Sequence, residues 1–123
     1  MKDRSVFIAT ALECIDLIRT YTAGYQLDDF LDDRKTQDAV IRNLEIIGQT
    51  LKDFGIESLT QENSKISWCQ ITAMRNVLAH EYLGIDITLI WETITTQLNE
   101  LRVVLDKLYT KMQGVEPNGD VGA

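Results

Sequence analysis

The sequence predicts an all-α protein: an up-and-down bundle of four main helices plus a short connector helix. Three observations carry that expectation. The one Pro is Pro117, so residues 1–113 contain none. Apolar residues recur at helical spacing over long stretches. Gly114, Gly119 and Gly122 all fall within the last ten residues, which leaves long stretches for helices upstream. The expected domain is 1–113. The tail, 114–123, has no apolar period and reads as disordered.

Helix one is expected over Arg4–Ala23. Ile8, Leu12, Ile15 and Ile18 form one face, Asp3 serves as N-cap and Gly24 as the residue past the C-terminus. Leu27–Asp33 is a short acidic connector anchored by Phe30 and Leu31. Its surroundings, 28–38, carry five Asp against Arg34 and Lys35, net −3. Carboxylates are favoured near a helix N-terminus, and the Gly-turn loop spacing of a calcium site is missing. Helix three is expected over Lys35–Phe54, with Val40, Ile41, Leu44, Ile47, Leu51 and Phe54 inward and Gly55 at its end. Gly48 lies inside that stripe. A mid-helix Gly costs roughly 1 kcal/mol relative to Ala, which points to close approach of another helix.

Ile56–Ile66 reads as a polar loop. Helix four opens at Ser67, where Ser67 and Gln70 fit a capping box, and Ile71, Met74, Val77 and Leu78 give its apolar side. The last helix starts at the N-cap Asp86. Ile87, Trp91, Ile94, Leu98, Leu101, Leu105, Leu108 and Met112 form one continuous heptad stripe, read as packing within a bundle. Cys14 and Cys69 read as packing residues, and no Cys–His metal spacing exists. Trp68 and Trp91 read as core or interface anchors.

Composition bounds the function. With 45% hydrophobic residues the chain can bury a core, which excludes a disordered protein. Two Cys are too few for a disulfide scaffold. Twelve basic against nineteen acidic residues, net −7, argues against a non-specific coat for nucleic acid. No signal-type or membrane-spanning run is visible, so a soluble cytoplasmic protein is expected. The single histidine, His80, means that any two-histidine chemistry needs two chains.

One stretch stands apart. Residues 74–82 hold that histidine together with Arg75, Asn76, Glu81 and Tyr82. The segment 63–84 has only Lys65, Arg75 and Glu81 as charges, net +1 inside an acidic protein. On a straight helix five residues turn by about 500°, so Arg75 and His80 point about 140° apart. Either the helix breaks near His80, or the site is built from two copies of the segment. The plain structural alternative is that both residues complement the carbonyl end of a helix.

The run Met74–Asp86, MRNVLAHEYLGID, resembles the signature of the HEPN superfamily, specifically the HepT-like toxins: an Arg, a short spacer opening on a polar residue, then His-x-Tyr. Arg75, Asn76, His80 and Tyr82 fill those places. Upstream, Asp38–Gly48 resembles the family's third-helix segment, and Trp68 and Trp91 fall where the family has tryptophans. The chain departs at Gly48-Gln49-Thr50, where members often have Gly-Glu-Ala, and at Ser67, where many have Pro.

The resemblance implies a metal-independent endoribonuclease toxin with no cofactor, a homodimer joining two motifs at one cleft, and RNA as substrate. It implies Arg75 and His80 as catalytic residues. His80 suits proton transfer, and Arg75 offers a planar fork to phosphate. Asn76 would orient Arg75 or the RNA, and Tyr82 would contact it. It further implies a nucleotidyltransferase antitoxin that transfers AMP to Tyr82. Arg42, Asn43 and Glu45 are candidates to support the site or the antitoxin contact. Two other readings stand beside this one: a non-catalytic HEPN module that docks a nucleotidyltransferase or nucleotide, and a purely structural helical dimer.

Overall fold

The computed structural model describes residues 3–80 and 84–114, without the side chains of Val77, Ala79 and His80. Tyr82 and the tail beyond Gly114 lie outside the described residues. The described chain is all-α, in seven helices.

Helix α1 spans Ser5–Thr22. The N-cap is Arg4, one residue past the expected Asp3; the Asp3 carboxylate accepts from the Ser5 amide at 2.9 Å just ahead of the helix. Gly24 follows the helix with φ +78°, where a side chain would be strained. Ile8, Leu12, Ile15 and Ile18 are buried, and so is Cys14. Helix α2, Leu27–Leu31, is one short turn. Asp29 accepts from the Gln26 amide at 2.8 Å and secures its start. Phe30 buries completely, with its ring centroid 5.2 Å from that of Trp91. Buried Gln37 donates to the carbonyls of Phe30 and Leu31 and closes the turn's C-terminal end.

Helix α3 spans Arg34–Phe54 and buries the whole stripe expected of it. Asp33 is its N-cap and accepts from the Thr36 amide. Hydrogen bonds from the Thr36 hydroxyl, the Tyr25 hydroxyl and that amide hold the Asp33 carboxyl down at about 2. At the other end Arg4 donates to the Phe54 carbonyl at 2.6 Å and lies over the Phe54 ring. It thereby ties the start of α1 to the end of α3.

Two expected helix boundaries need correction. Ile56–Ile66 is not all loop: Ile56–Glu62 forms helix α4 with Leu59 fully buried. Gly55 at φ +120° turns the chain sharply and lets a second helix start at once. Two apolar residues in one turn are too few for a period to show. The last helix is also not continuous. It divides into α6, Ile87–Thr96, and α7, Leu98–Met112, at Gln97. The hydroxyls of Thr93, Thr95 and Thr96 bond back to carbonyls a turn earlier, which bends helices. The stripe survives the bend, with Ile94, Leu98, Leu101, Leu105 and Leu108 buried. In α6, however, Ile90 is buried while Ile87 and Trp91 are only partly so. Asp86 caps α6 as expected, accepting from the Leu89 amide.

Helix α5 spans Trp68–His80. Cys69 in its first turn is exposed, contrary to its expected packing role, because Trp68 takes the inward position. Helix α1 packs on α3 and α7, and α3 packs in turn on α5. Arg102 clamps α7 to α1 by a two-point contact with Asp16, at 2.8 and 3.1 Å. No described helix is long and apolar enough to cross a membrane.

Candidate active site

The motif rides on α5, and α5 is seated by its first turns. The Ser67 carbonyl accepts from the amides of Gln70 and Ile71. Trp68 is 2% exposed and donates from its indole to the Asn63 carbonyl at 2.7 Å. Thr72 is buried, with its hydroxyl on the Trp68 carbonyl. From Trp68, steps of four, three and three reach Thr72, Arg75 and Leu78. That is one row of the helix, so Arg75 leaves from the inward face.

What faces Arg75 is Gly48 of α3. A Cβ built on Gly48 would lie 3.1 Å from the Arg75 Cβ, 3.2 Å from the Ile71 carbonyl oxygen and 3.4 Å from the Arg75 amide nitrogen. The close approach expected of this glycine is therefore present, and its partner is the candidate site. The Arg75 guanidinium extends outward, where Nη1 donates to Oδ1 of Asn76 at 2.9 Å. Arg75 and Asn76 are thus brought together, as the sequence suggested.

Helix α5 runs without a break from Arg75 to His80. His80 is the last residue described before 81–83, so any break of the helix near this histidine falls at or beyond it. The backbone positions of Arg75 and His80 stand about 7.5 Å apart along the axis and about 140° apart around it. The side chain of His80 and all of Tyr82 lie outside the described residues. Asn43 is buried and bonds back to the Ala39 carbonyl. Arg42 is exposed and reaches Glu45 at 3.9 Å. Gln49, in the place of the family's frequent Glu, donates to Asp53 at 2.9 Å.

On its other side α5 borders a groove of about 570 Å³ against the α6–α7 bend, lined in part by Lys65, Gln70, Met74, Thr93 and Glu100. A second hollow of about 210 Å³ shares Met74 and Thr93 with it. Neither lining includes Arg75. The larger one has Gln97 itself in its lining, so it depends on the bend and was not legible in the sequence. Among the described residues no three His, Cys, Asp or Glu side chains converge in a way that would hold a metal.

The profile of a family described as "Ribonuclease HepT-like" matches residues 11–108, which takes in Gly48, Arg75, His80 and Tyr82. The chain belongs to the HepT-like ribonuclease family. Individual HepT-like relatives agree. The chain is 35% identical over 102 residues to "Probable ribonuclease HepT" of Thermococcus cleftensis, covering 83% of this chain and 92% of that one. It is 32% identical over 111 residues to a "Putative RNase" of Caldanaerobacter subterraneus subsp. tengcongensis, covering 90% and 98%. A third relative, "Gamma-glutamylcyclotransferase and putative RNase" of Methanocaldococcus jannaschii, is 33% identical over 111 residues. The match takes 90% of this chain but only half of that longer protein. No solved structure matches the chain. The HEPN resemblance first seen in the Arg75–Tyr82 run therefore extends over most of the bundle, and the ribonuclease class follows from it.

Proposed function

We propose that the chain is the toxin of a toxin–antitoxin pair, an endoribonuclease that cleaves RNA without metal at a cleft shared by two copies. The observation that carries this reading is the family match across the whole Arg75–His80 segment. The unbroken α5 supports the two-copy arrangement. With Arg75 and His80 diverging by about 140° on one helix, one chain does not aim both at the same phosphate. Two antiparallel copies of α5 set the Arg75 of each beside the His80 of the other.

In that cleft His80 of one copy takes the proton of the ribose 2′-OH. The 2′-oxygen attacks phosphorus, the bond to the 5′-oxygen breaks, and the products are a 2′,3′-cyclic phosphate and a 5′-hydroxyl. The second His80, protonated, supplies the proton to the leaving 5′-oxygen. The two Arg75 guanidinium groups stabilise the phosphorane charge as preorganised donors. Asn76 holds Arg75 by the 2.9 Å bond. Tyr82 is the acceptor of AMP from a nucleotidyltransferase antitoxin. The added phosphate and bulk repel RNA phosphate and block entry.

The test is cleavage of RNA by the purified, unmodified dimer in EDTA. Wild type cuts, and His80→Ala loses the activity. Intact RNA with wild type, or undiminished cutting by His80→Ala, refutes the reading. Intact mass after co-expression with the neighbouring antitoxin tests the modification, with added AMP mapped to Tyr82.

A further inference from the structure

We propose that Gly48 is a positioning residue for Arg75: it sets how closely α5 seats on α3 and thereby where the guanidinium reaches. The inference rests on the ribonuclease role proposed for Arg75. Gly48 is buried within the apolar stripe of α3 and has ordinary helical backbone, so no left-handed turn explains a glycine there. Space does. Two of the three atoms that a Cβ would meet, at 3.2 and 3.4 Å, belong to the backbone of α5, and the third is the Arg75 Cβ itself at 3.1 Å. None of these is the end of a flexible side chain. A methyl group at position 48 therefore moves α5 as a body, or tilts it about this point.

Arg75 cannot absorb that movement. Its guanidinium is tethered to Asn76, the next residue of the same helix, and so travels with α5. A displacement of a few tenths of an ångström at the Cβ grows along the side chain when the helix tilts. In a cleft built from two copies it occurs twice. Transition-state stabilisation is steep in such geometry, and a misplacement of about 1 Å costs on the order of 100-fold.

The experiment is a cycle of Gly48→Ala with Arg75→Ala, read as RNA cleavage. Gly48→Ala alone lowers kcat/KM by about 10- to 100-fold with helical content unchanged. In the Arg75→Ala background it changes the residual rate by less than about 3-fold, because the residue it acts through is gone. Equal losses in both backgrounds, or no loss in wild type, overturn the proposal. A second cycle does not need activity. Arg75→Gly removes the Cβ at 3.1 Å, so Gly48→Ala lowers the melting temperature less in that background than in wild type. Equal drops in both overturn the contact. The α5 backbone atoms at 3.2 and 3.4 Å remain in both backgrounds, so the readout is the difference between the two drops rather than full rescue. If wild-type protein leaves RNA intact, the function reading fails separately. The Nε–H NMR resonance of Arg75 then reports whether Gly48→Ala displaces the guanidinium, and an unmoved resonance refutes the positioning role.

Discussion

Replacing Arg75 by Ala separates a site residue from a structural one, because the two roles predict opposite balances of stability and activity. Among the described residues the guanidinium makes one hydrogen bond, to exposed Asn76. Among the described residues no carboxylate lies within ion-pair distance of it. Ala keeps the Cβ that faces Gly48, so the α3–α5 contact survives. The loss of stability is then that of one exposed hydrogen bond and part of a side-chain stem, about 0.5–1 kcal/mol. A chain of 123 residues has an unfolding entropy of roughly 0.26 kcal/mol/K, so the melting temperature falls by about 2–4 °C. Losing a preorganised donor to the developing phosphorane instead removes about 10²–10³ in kcat, or about 2.7–4 kcal/mol. Calorimetry and a single-turnover RNA cleavage assay on the same preparation measure both. A fall of more than about 10 °C, or a rate within about 3-fold of wild type, refutes the reasoning and makes Arg75 a helix-supporting residue.

Two further outcomes test the fold. The Asp33 carboxyl is held at about 2, below its ordinary 3.8, by hydrogen bonds from Thr36 and Tyr25. A depressed folded-state value adds stability that is complete above the unfolded value and fades as pH falls through 3.8 toward 2. Tyr25→Phe therefore raises the Asp33 midpoint in an NMR titration and moves acid unfolding to higher pH, and an unchanged midpoint counts against the Tyr25 bond. Leu105 is fully buried where α7 packs into the core. Leu105→Ala costs about 2–5 kcal/mol, seen as a drop of about 8–20 °C by thermal melt, and a loss under about 1 kcal/mol refutes its place in the core.

The fold class, the stripes of α1 and α3, the cap at Asp86 and the reach of the bundle to Met112 were all legible in the residues. Each is a local matter, since a 3.6-residue period and a capping carboxylate act within a turn or two. Helix α4 was hidden because its seven residues, about two turns, carry only Ile56 and Leu59 as apolar positions, too few to display a period. The bend at Gln97 was hidden because the leucine stripe keeps its phase across it, while the threonine hydroxyls beside it bond to carbonyls and leave no mark on the apolar pattern. The candidate site was legible as chemistry. The single histidine, Arg75 and Asn76 declare themselves by type and spacing, and the bond between Arg75 and Asn76 needs only adjacency.

What the sequence determined by itself was therefore the fold class, the main apolar stripes, the family and the reactive residue types. What only the tertiary structure decided was the company those residues keep. A mid-helix Gly48 announces that something must come close, yet it does not say what, because residues 48 and 75 belong to different helices. Only the packing of α3 on α5 puts the glycine under the Cβ of Arg75. That contact is steric and long-range in sequence, so neither propensity nor spacing encodes it in a form that can be read along the chain.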